Sequence, residues 1–197
     1  MKKKTLLIIL LSLIFFTGCT KKESEENKQD YSNSLVLYFS VTNNTSRVAK
    51  IIGEETNSDL AEIVPKEKYT EKDINYKDNN SRASKEQKDS KSRPEIEYDL
   101  DLDKYETIYL GYPIWFETTP KIIYTILDKY DLTNKKIILF CTSGSTDIEK
   151  SAKEIKDYND KLDIISSKRF SSDTTREEIN EWLENEKLPK SEPVNLK

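Results

Sequence analysis

The sequence contains no histidine among its 197 residues, and this absence excludes several kinds of chemistry. Ser-His-Asp catalysis, Cys-His catalysis and histidine-ligated metals all need an imidazole, which is also the usual proton carrier near neutral pH. We therefore expect any chemistry to depend on a bound cofactor, with no catalytic side chain and no metal.

Several motifs are missing as well. No C-x-x-C pair occurs, which argues against zinc and dithiol redox sites. There is no P-loop lysine and no G-x-G-x-x-G, so neither nucleoside triphosphate hydrolysis nor a dinucleotide fingerprint is indicated. The net charge is −4, and it becomes −7 without the first eighteen residues, which carry three lysines and no acidic residue. A chain this acidic is not expected to bind nucleic acid.

The N-terminus has the pattern of a secretion signal. A basic start at residues 2–4, an apolar run at 6–16 and small residues before the cut predict a signal peptide over residues 1–18. The apolar run is shorter than the roughly 20 residues of a membrane-spanning helix. Gly18-Cys19 resembles a bacterial lipoprotein signal, which implies a lipidated Cys19 and a lipid anchor on the outer face of the cell membrane. An ordinary signal peptide with an unrelated cysteine is the alternative.

The rest of the chain predicts a tether, one domain and a tail. Residues 19–33 are polar and charged, which is typical of a disordered tether. Residues 34–187 are long enough for one domain with a full core, and residues 188–197 are expected to form a loose tail. Residues 66–95 form a charged insertion that we expect to be solvated. A docking surface for a basic redox partner is the alternative.

Strand and helix patterns alternate through the domain. The predicted strands are 35–39, 60–64, 108–112, 137–141 and 162–165, and the predicted helices are 44–56, one opened by Pro120, 148–158 and 175–185. Thr119 and Asp147 are candidate N-caps. This alternation indicates an α/β fold with a parallel sheet between helices, in which ligands bind at the carboxyl ends of the strands. Cys141 and Trp182 are expected to be core residues.

The first loop at such an end has the composition of a phosphate site. Ser40, Thr42 and Thr45 place three hydroxyls beside the start of a helix, whose first amides have no partner within it. Asn43 and Asn44 lie where the chain turns, and asparagine tolerates the left-handed conformation. The loop therefore predicts a phosphate cradle, with plain helix capping as the alternative.

Three loops together resemble those of flavodoxins. Ser40 to Thr45 resembles the phosphate loop, usually T/S-x-T-G-N-T, and Gly111-Tyr112-Pro113-Ile114-Trp115 is similar to the second flavin loop of one subfamily. Thr142-Ser143-Gly144 is similar to the third. The resemblance covers residues 34–186 and implies a five-stranded sheet in the order 2-1-3-4-5, with helices on both faces and non-covalent FMN.

The resemblance also implies the FMN contacts. The phosphate would be held by Ser40, Thr42, Asn43, Asn44 and Thr45, the isoalloxazine flanked by Tyr112, Pro113, Ile114 and Trp115, and its pyrimidine side met by Thr142, Ser143 and Gly144. Trp115 is the best stacking candidate, with a core role as the alternative. Asn43 replaces the family glycine, and Phe116-Glu117 replaces an aromatic residue followed by glycine. Near the ring, Glu117 and Asp147 would disfavour the anionic reduced flavin.

Three functions agree with these observations. The first is an FMN-binding electron carrier, expected to be a monomer, that is anchored through lipid and exchanges electrons with a redox protein or a quinone-type partner. The second is a flavin-dependent reductase of quinones that uses a reduced nicotinamide. The third is a flavin-free interaction lipoprotein on the same fold.

Overall fold

The structure is a computed structural model that describes residues 33–192. Its strands are β1 (Ser34–Tyr38), β2 (Asp59–Glu62), β3 (Thr107–Pro113), β4 (Lys136–Thr142) and β5 (Asp163–Phe170). Its helices are α1 (Asn44–Thr56), α2 (Arg82–Lys88), α3 (Lys121–Lys129), α4 (Glu149–Tyr158) and α5 (Arg176–Asn185). The strands form one parallel sheet in the order β2-β1-β3-β4-β5, which confirms the predicted fold.

Two hydrophobic cores cover the two faces of this sheet. Along β1, Leu35 and Leu37 join the core under α3 and α4, whereas Val36 and Tyr38 join the core under α1 and α5. Because both faces are buried, the central strands are continuous apolar runs, which explains why the sequence predicts them so directly. Trp182 is buried in the second core, as predicted.

The edge strand β5 is longer than its predicted segment, which ended at Ile165. Burial alternates along it, since Ser166 and Phe170 are buried while Ile165 and Lys168 are exposed. An edge strand buries only part of its surface, so its second half is polar and lacks the apolar run on which the prediction relied.

Most residues of the charged insertion are exposed, and part of the insertion is nevertheless ordered against the domain. An isolated bridge between Pro65 and Ile96 closes its base. Inside it, α2 begins after Ser81, whose side chain accepts a hydrogen bond from the Ser84 amide. Ala83 is buried, so this segment contributes anchoring contacts as well as charge.

The described part of the C-terminal tail packs on the domain, which differs from the loose tail expected from residue 188. Leu188 is buried, the Tyr109 hydroxyl donates to the Pro189 carbonyl at 2.7 Å, and the Ser191 amide donates to the Thr56 carbonyl at 2.8 Å. Residues 1–32, with the predicted signal peptide, Cys19 and nearly all of the tether, lie outside the described residues. Within residues 33–192, no helix has the length and apolar character needed to cross a membrane.

Candidate functional site

The loops that follow β1, β3 and β4 meet at one edge of the sheet, because these strands are neighbours in it. The Ile114 amide donates to the Thr142 carbonyl at 3.0 Å, which joins the second loop to the third. The hydroxyls of Thr45 and Thr142 lie 2.7 Å apart, which joins the first loop to the third. The structure thus brings the three predicted segments together.

The first loop turns into α1 through a left-handed residue. Asn43 has φ 65° and ψ −4°, and its carbonyl accepts the first hydrogen bond of α1, from the Arg47 amide at 2.9 Å. Its side chain makes no capping bond, so the residue acts through its backbone. Asparagine tolerates this conformation better than most residues, and it therefore takes the backbone role of the family glycine.

The groups around this turn fit a phosphate. The first amides of α1 have no acceptor within the helix, and the helix dipole favours an anion there. Thr42 and Asn44 are exposed beside them and Ser40 is half-buried. Arg47, in the first turn of α1, directs its guanidinium to the carbonyls of Thr174 and Ser172, at 2.7 and 3.0 Å. The turn therefore offers neutral hydroxyl and amide donors.

Three predicted contact side chains are buried beneath the loops. Thr45, Tyr112 and Thr142 are 1%, 0% and 6% exposed. The Tyr112 hydroxyl lies 3.0 Å from the Ser151 hydroxyl of α4, and the two threonines contact each other. These side chains support the loops from below, and their contact with the ligand stays a prediction.

Cys141 lies in the same buried layer. It is fully buried at the end of β4, and burial raises the pKa of its thiol to about 12. The thiol therefore stays protonated at neutral pH, which confirms the predicted core role and excludes a reactive thiolate.

The second loop contains a strained turn. Trp115 and Thr118 exchange two backbone hydrogen bonds of 3.0 Å, and the residues between them, Phe116 and Glu117, have φ 51° and 61°. Such a turn normally carries Asn-Gly, because other residues lose roughly 1–2 kcal/mol in the left-handed region. The Thr118 hydroxyl donates to Glu154 of α4. Strain of this kind is concentrated at ligand sites.

Trp115 stands at the rim of the core within a cluster of three aromatic rings. Its ring centroid lies 5.3 Å from that of Phe39 and 5.1 Å from that of Tyr69, and both contacts are edge-on. The indole is only partly buried, so it remains accessible to a ligand. Tyr69 comes from the charged insertion and was not predicted. The signal in the sequence that could have identified Tyr69 is an aromatic residue within a run of charged residues.

The third loop uses most of its polar groups internally. The Ser143 amide donates to the Phe170 carbonyl at 3.0 Å, and its hydroxyl accepts from the amide of Thr146 at 2.9 Å. Its carbonyl accepts from Arg169 Nη1 at 3.1 Å. Gly144 is exposed at the tip of the loop. Ser143 therefore shapes the loop, and Gly144 is the residue that remains available to a ligand.

Thr119 and Asp147 do not cap their helices, whereas Thr175, at the predicted start of the last helix, is the N-cap of α5. Asp147 forms an ion pair of 3.2 Å with Arg169, and Ile148 occupies the cap position of α4. At α3 the cap position belongs to Pro120 instead of Thr119. The effect of the Asp147 carboxylate on a nearby ring stays a prediction. Among residues 33–192, no cluster of acidic and cysteine side chains suits a metal ion.

A parallel sheet in this order, with a left-handed turn into a helix after its first strand and an aromatic loop after its third, is typical of the flavodoxin-like class of α/β proteins. The chain belongs to the flavodoxin family, whose model matches residues 33–186.

Solved structures of flavoproteins are similar to this chain. A putative flavoprotein from Bacteroides uniformis is 36% identical with a TM-score of 0.75, and the match covers 79% of this chain and 99% of that one. One from Bacteroides eggerthii is 33% identical with a TM-score of 0.72, over 78% and 97%. A flavoprotein from Lactobacillus acidophilus, in complex with FMN, is 26% identical with a TM-score of 0.58, over 70% and 93%.

An uncharacterised protein of Methanocaldococcus jannaschii is also similar to this chain. It is 30% identical over 112 residues, which make up 56% of this chain. The match spans 54% of that protein, or about half of its length.

Proposed function

We propose that this protein binds FMN at the three-loop site and carries electrons. The observation that carries the proposal is the left-handed turn at Asn43, which starts α1 at the carboxyl end of β1 and offers neutral donors to a phosphate. Membership of the flavodoxin family supports it, as does a similar flavoprotein whose structure is a complex with FMN.

We assign the FMN contacts to those predicted site residues that are not buried. Ser40 and Thr42, with the amides of Asn43 and Asn44, would hold the phosphate, since none of these residues is buried. Trp115 would stack on the isoalloxazine, and Gly144 would meet its pyrimidine side. FMN supplies one-electron and two-electron transfer when bound. The role of the chain is to bind the cofactor, orient its ring and limit the access of water to it.

FMN titration of the purified full chain tests the proposal. We expect flavin fluorescence to be quenched at micromolar protein, with a shifted visible absorption band. Absence of quenching would overturn both the carrier and the reductase. If FMN binds and the protein steadily oxidises NADH or NADPH in the presence of a quinone, the protein is a reductase and the proposal of an electron carrier is overturned.

The lipid anchor at Cys19 is a separate part of the proposal and rests on the signal-like N-terminus. We expect the expressed chain to incorporate labelled palmitate and to sediment with membranes. The Cys19→Ser variant should do neither. If it sediments with membranes as the parent does, the anchor is not at this cysteine.

A further inference from the structure

The charged insertion reaches the candidate site through Tyr69. The Tyr69 ring contacts both Trp115 and Phe39, at centroid distances of 5.1 and 5.7 Å, and those two rings are themselves 5.3 Å apart. Each pair is edge-on, which is a favoured geometry for aromatic side chains. The indole of Trp115 is therefore held between a ring from the end of β1 and a ring from the insertion.

Tyr69 is itself held from behind by an ion pair. The guanidinium of Arg82 lies 4.0 Å from the centroid of the Tyr69 ring. Glu86 accepts hydrogen bonds from the Tyr69 hydroxyl at 2.6 Å and from Arg82 Nε at 2.7 Å. The side chains of this ion pair are only 23% and 12% exposed, so solvent screens it less than a surface pair. Burial, followed by the hydrogen bond to Glu86, raises the pKa of Tyr69 and keeps it neutral.

Helix α2 also contacts the second loop directly. Gln87 Nε2 donates to the carbonyl of Thr119, which follows the turn of the second loop, at 3.1 Å. Within the insertion, Arg82 Nη1 donates to the Glu67 carbonyl at 2.7 Å. The insertion is thus attached to the candidate site by a ring contact and by a hydrogen bond that does not involve the ring. A segment that served only as a solvated linker would need neither.

We propose that Tyr69 is a positioning residue that holds the Trp115 indole in the orientation in which it stacks on the flavin, with Arg82 and Glu86 fixing Tyr69. The claim that Trp115 stacks on the flavin rests on the proposed function. The claim that Tyr69 holds the Trp115 indole in place concerns the flavin-free protein and can be tested without FMN. The insertion then forms one wall of the cofactor site.

Tryptophan emission reports, without any flavin, how far the Trp115 indole is exposed to water and hence whether it keeps its place against Tyr69. The chain has two tryptophans, so Trp182→Phe leaves Trp115 as the sole emitter. In that background we compare Tyr69→Leu, which removes the ring, with Tyr69→Phe, which keeps the ring and loses the bond to Glu86. Tyr76→Leu is the matched control, since Tyr76 belongs to the same insertion and is 70% exposed.

We expect Tyr69→Leu to shift the Trp115 emission to longer wavelength, to raise acrylamide quenching and to weaken FMN binding by about tenfold. Tyr69→Phe should restore the emission and most of the affinity, and Tyr76→Leu should match its parent. The proposal is overturned if Tyr69→Leu emits and binds like Tyr76→Leu, or if Tyr69→Phe loses as much as Tyr69→Leu.

A second variant covers the case in which Tyr69→Leu does not fold. Arg82→Gln keeps all three rings and removes the cation behind Tyr69, together with the Arg82 hydrogen bonds to Glu86 and to the Glu67 carbonyl. We expect a smaller emission shift in the same direction, whereas an unchanged emission would count against the proposal. If the parent protein does not bind FMN, the proposed function fails, yet the emission of these variants still decides whether Tyr69 positions Trp115.

Discussion

Asn43 determines where α1 begins, and it does so with its backbone. Its φ of 65° is a conformation that a β-branched residue adopts only with strain. Asn57, at the other end of α1, has a similar φ of 51° but lies away from the three loops. The two asparagines therefore separate the cost of backbone strain from the loss of a binding site.

We expect Asn43→Val and Asn57→Val each to lower the free energy of unfolding, by roughly 1–2 kcal/mol. Only Asn43→Val should also raise the Kd for FMN, because only that turn starts the proposed cradle. Asn43→Gly should retain binding. Urea unfolding and flavin fluorescence provide the two measurements. Equal FMN affinity in the two valine variants would show that the turn does not form the site.

Gly111 is needed for close packing. A Cβ at this position would lie 2.1 Å from Cζ of the Phe140 ring on the neighbouring strand β4. We expect Gly111→Ala to destabilise the fold by about 1–3 kcal/mol, the usual cost of overpacking, and Phe140→Leu to relieve part of it. Gly53→Ala is the control, since its Cβ would meet ordinary contacts at 3.6 Å or more inside α1. It should be neutral or stabilising, by up to about 1 kcal/mol. Thermal melting distinguishes these results.

At the scale of elements, the sequence predicts helices and strands that have a periodic apolar pattern or a recognisable cap, and it misses those that have neither. The helix over 44–56 and the capping box that Thr175 and Glu178 form at the start of α5 follow from periodicity and cap chemistry. The second half of β5 and the helix α2 were missed, because an edge strand and a seven-residue helix bury too little surface to leave an apolar pattern.

The turn at 115–118 stores strain that substitution can release. Glu117 has φ 61°, at a position where glycine is the favoured residue. We expect Glu117→Gly to raise the free energy of unfolding by about 1 kcal/mol. Glu117→Gln should leave stability unchanged, since it removes the charge and keeps the Cβ. If the glutamine variant gains as much as the glycine variant, charge and not backbone strain is the cause.

At the scale of the whole molecule, the meeting of the three loops was predictable, because parallel strands bring their carboxyl ends to one edge of the sheet. The strand order was implied by the resemblance to flavodoxins. The inward direction of Thr45, Tyr112 and Thr142 was not predictable. It depends on contacts between α1, β4 and α4 that are distant in sequence. The role of Tyr69 was missed for the same reason, because it depends on how the insertion folds back on the second loop.

The rate at which a thiol reagent labels Cys141 measures how often the whole domain opens. In Cys19→Ser it is the sole thiol, and it is fully buried with a raised pKa. We expect labelling of the native protein by a thiol reagent at pH 8 to be slower than labelling in urea by about a thousandfold or more, in line with the stability of ordinary domains. Similar rates in both conditions would place Cys141 outside a cooperative core.

The central claim is that the turn at Asn43 holds a phosphate that belongs to a flavin. Riboflavin has the same ring system as FMN and lacks the phosphate, so paired titrations of the full chain with both flavins test this claim most directly. We predict that FMN binds at least about a hundredfold more tightly than riboflavin, and that Asn43→Val removes most of this difference. Equal affinity for the two flavins, or no binding of either, would contradict the account.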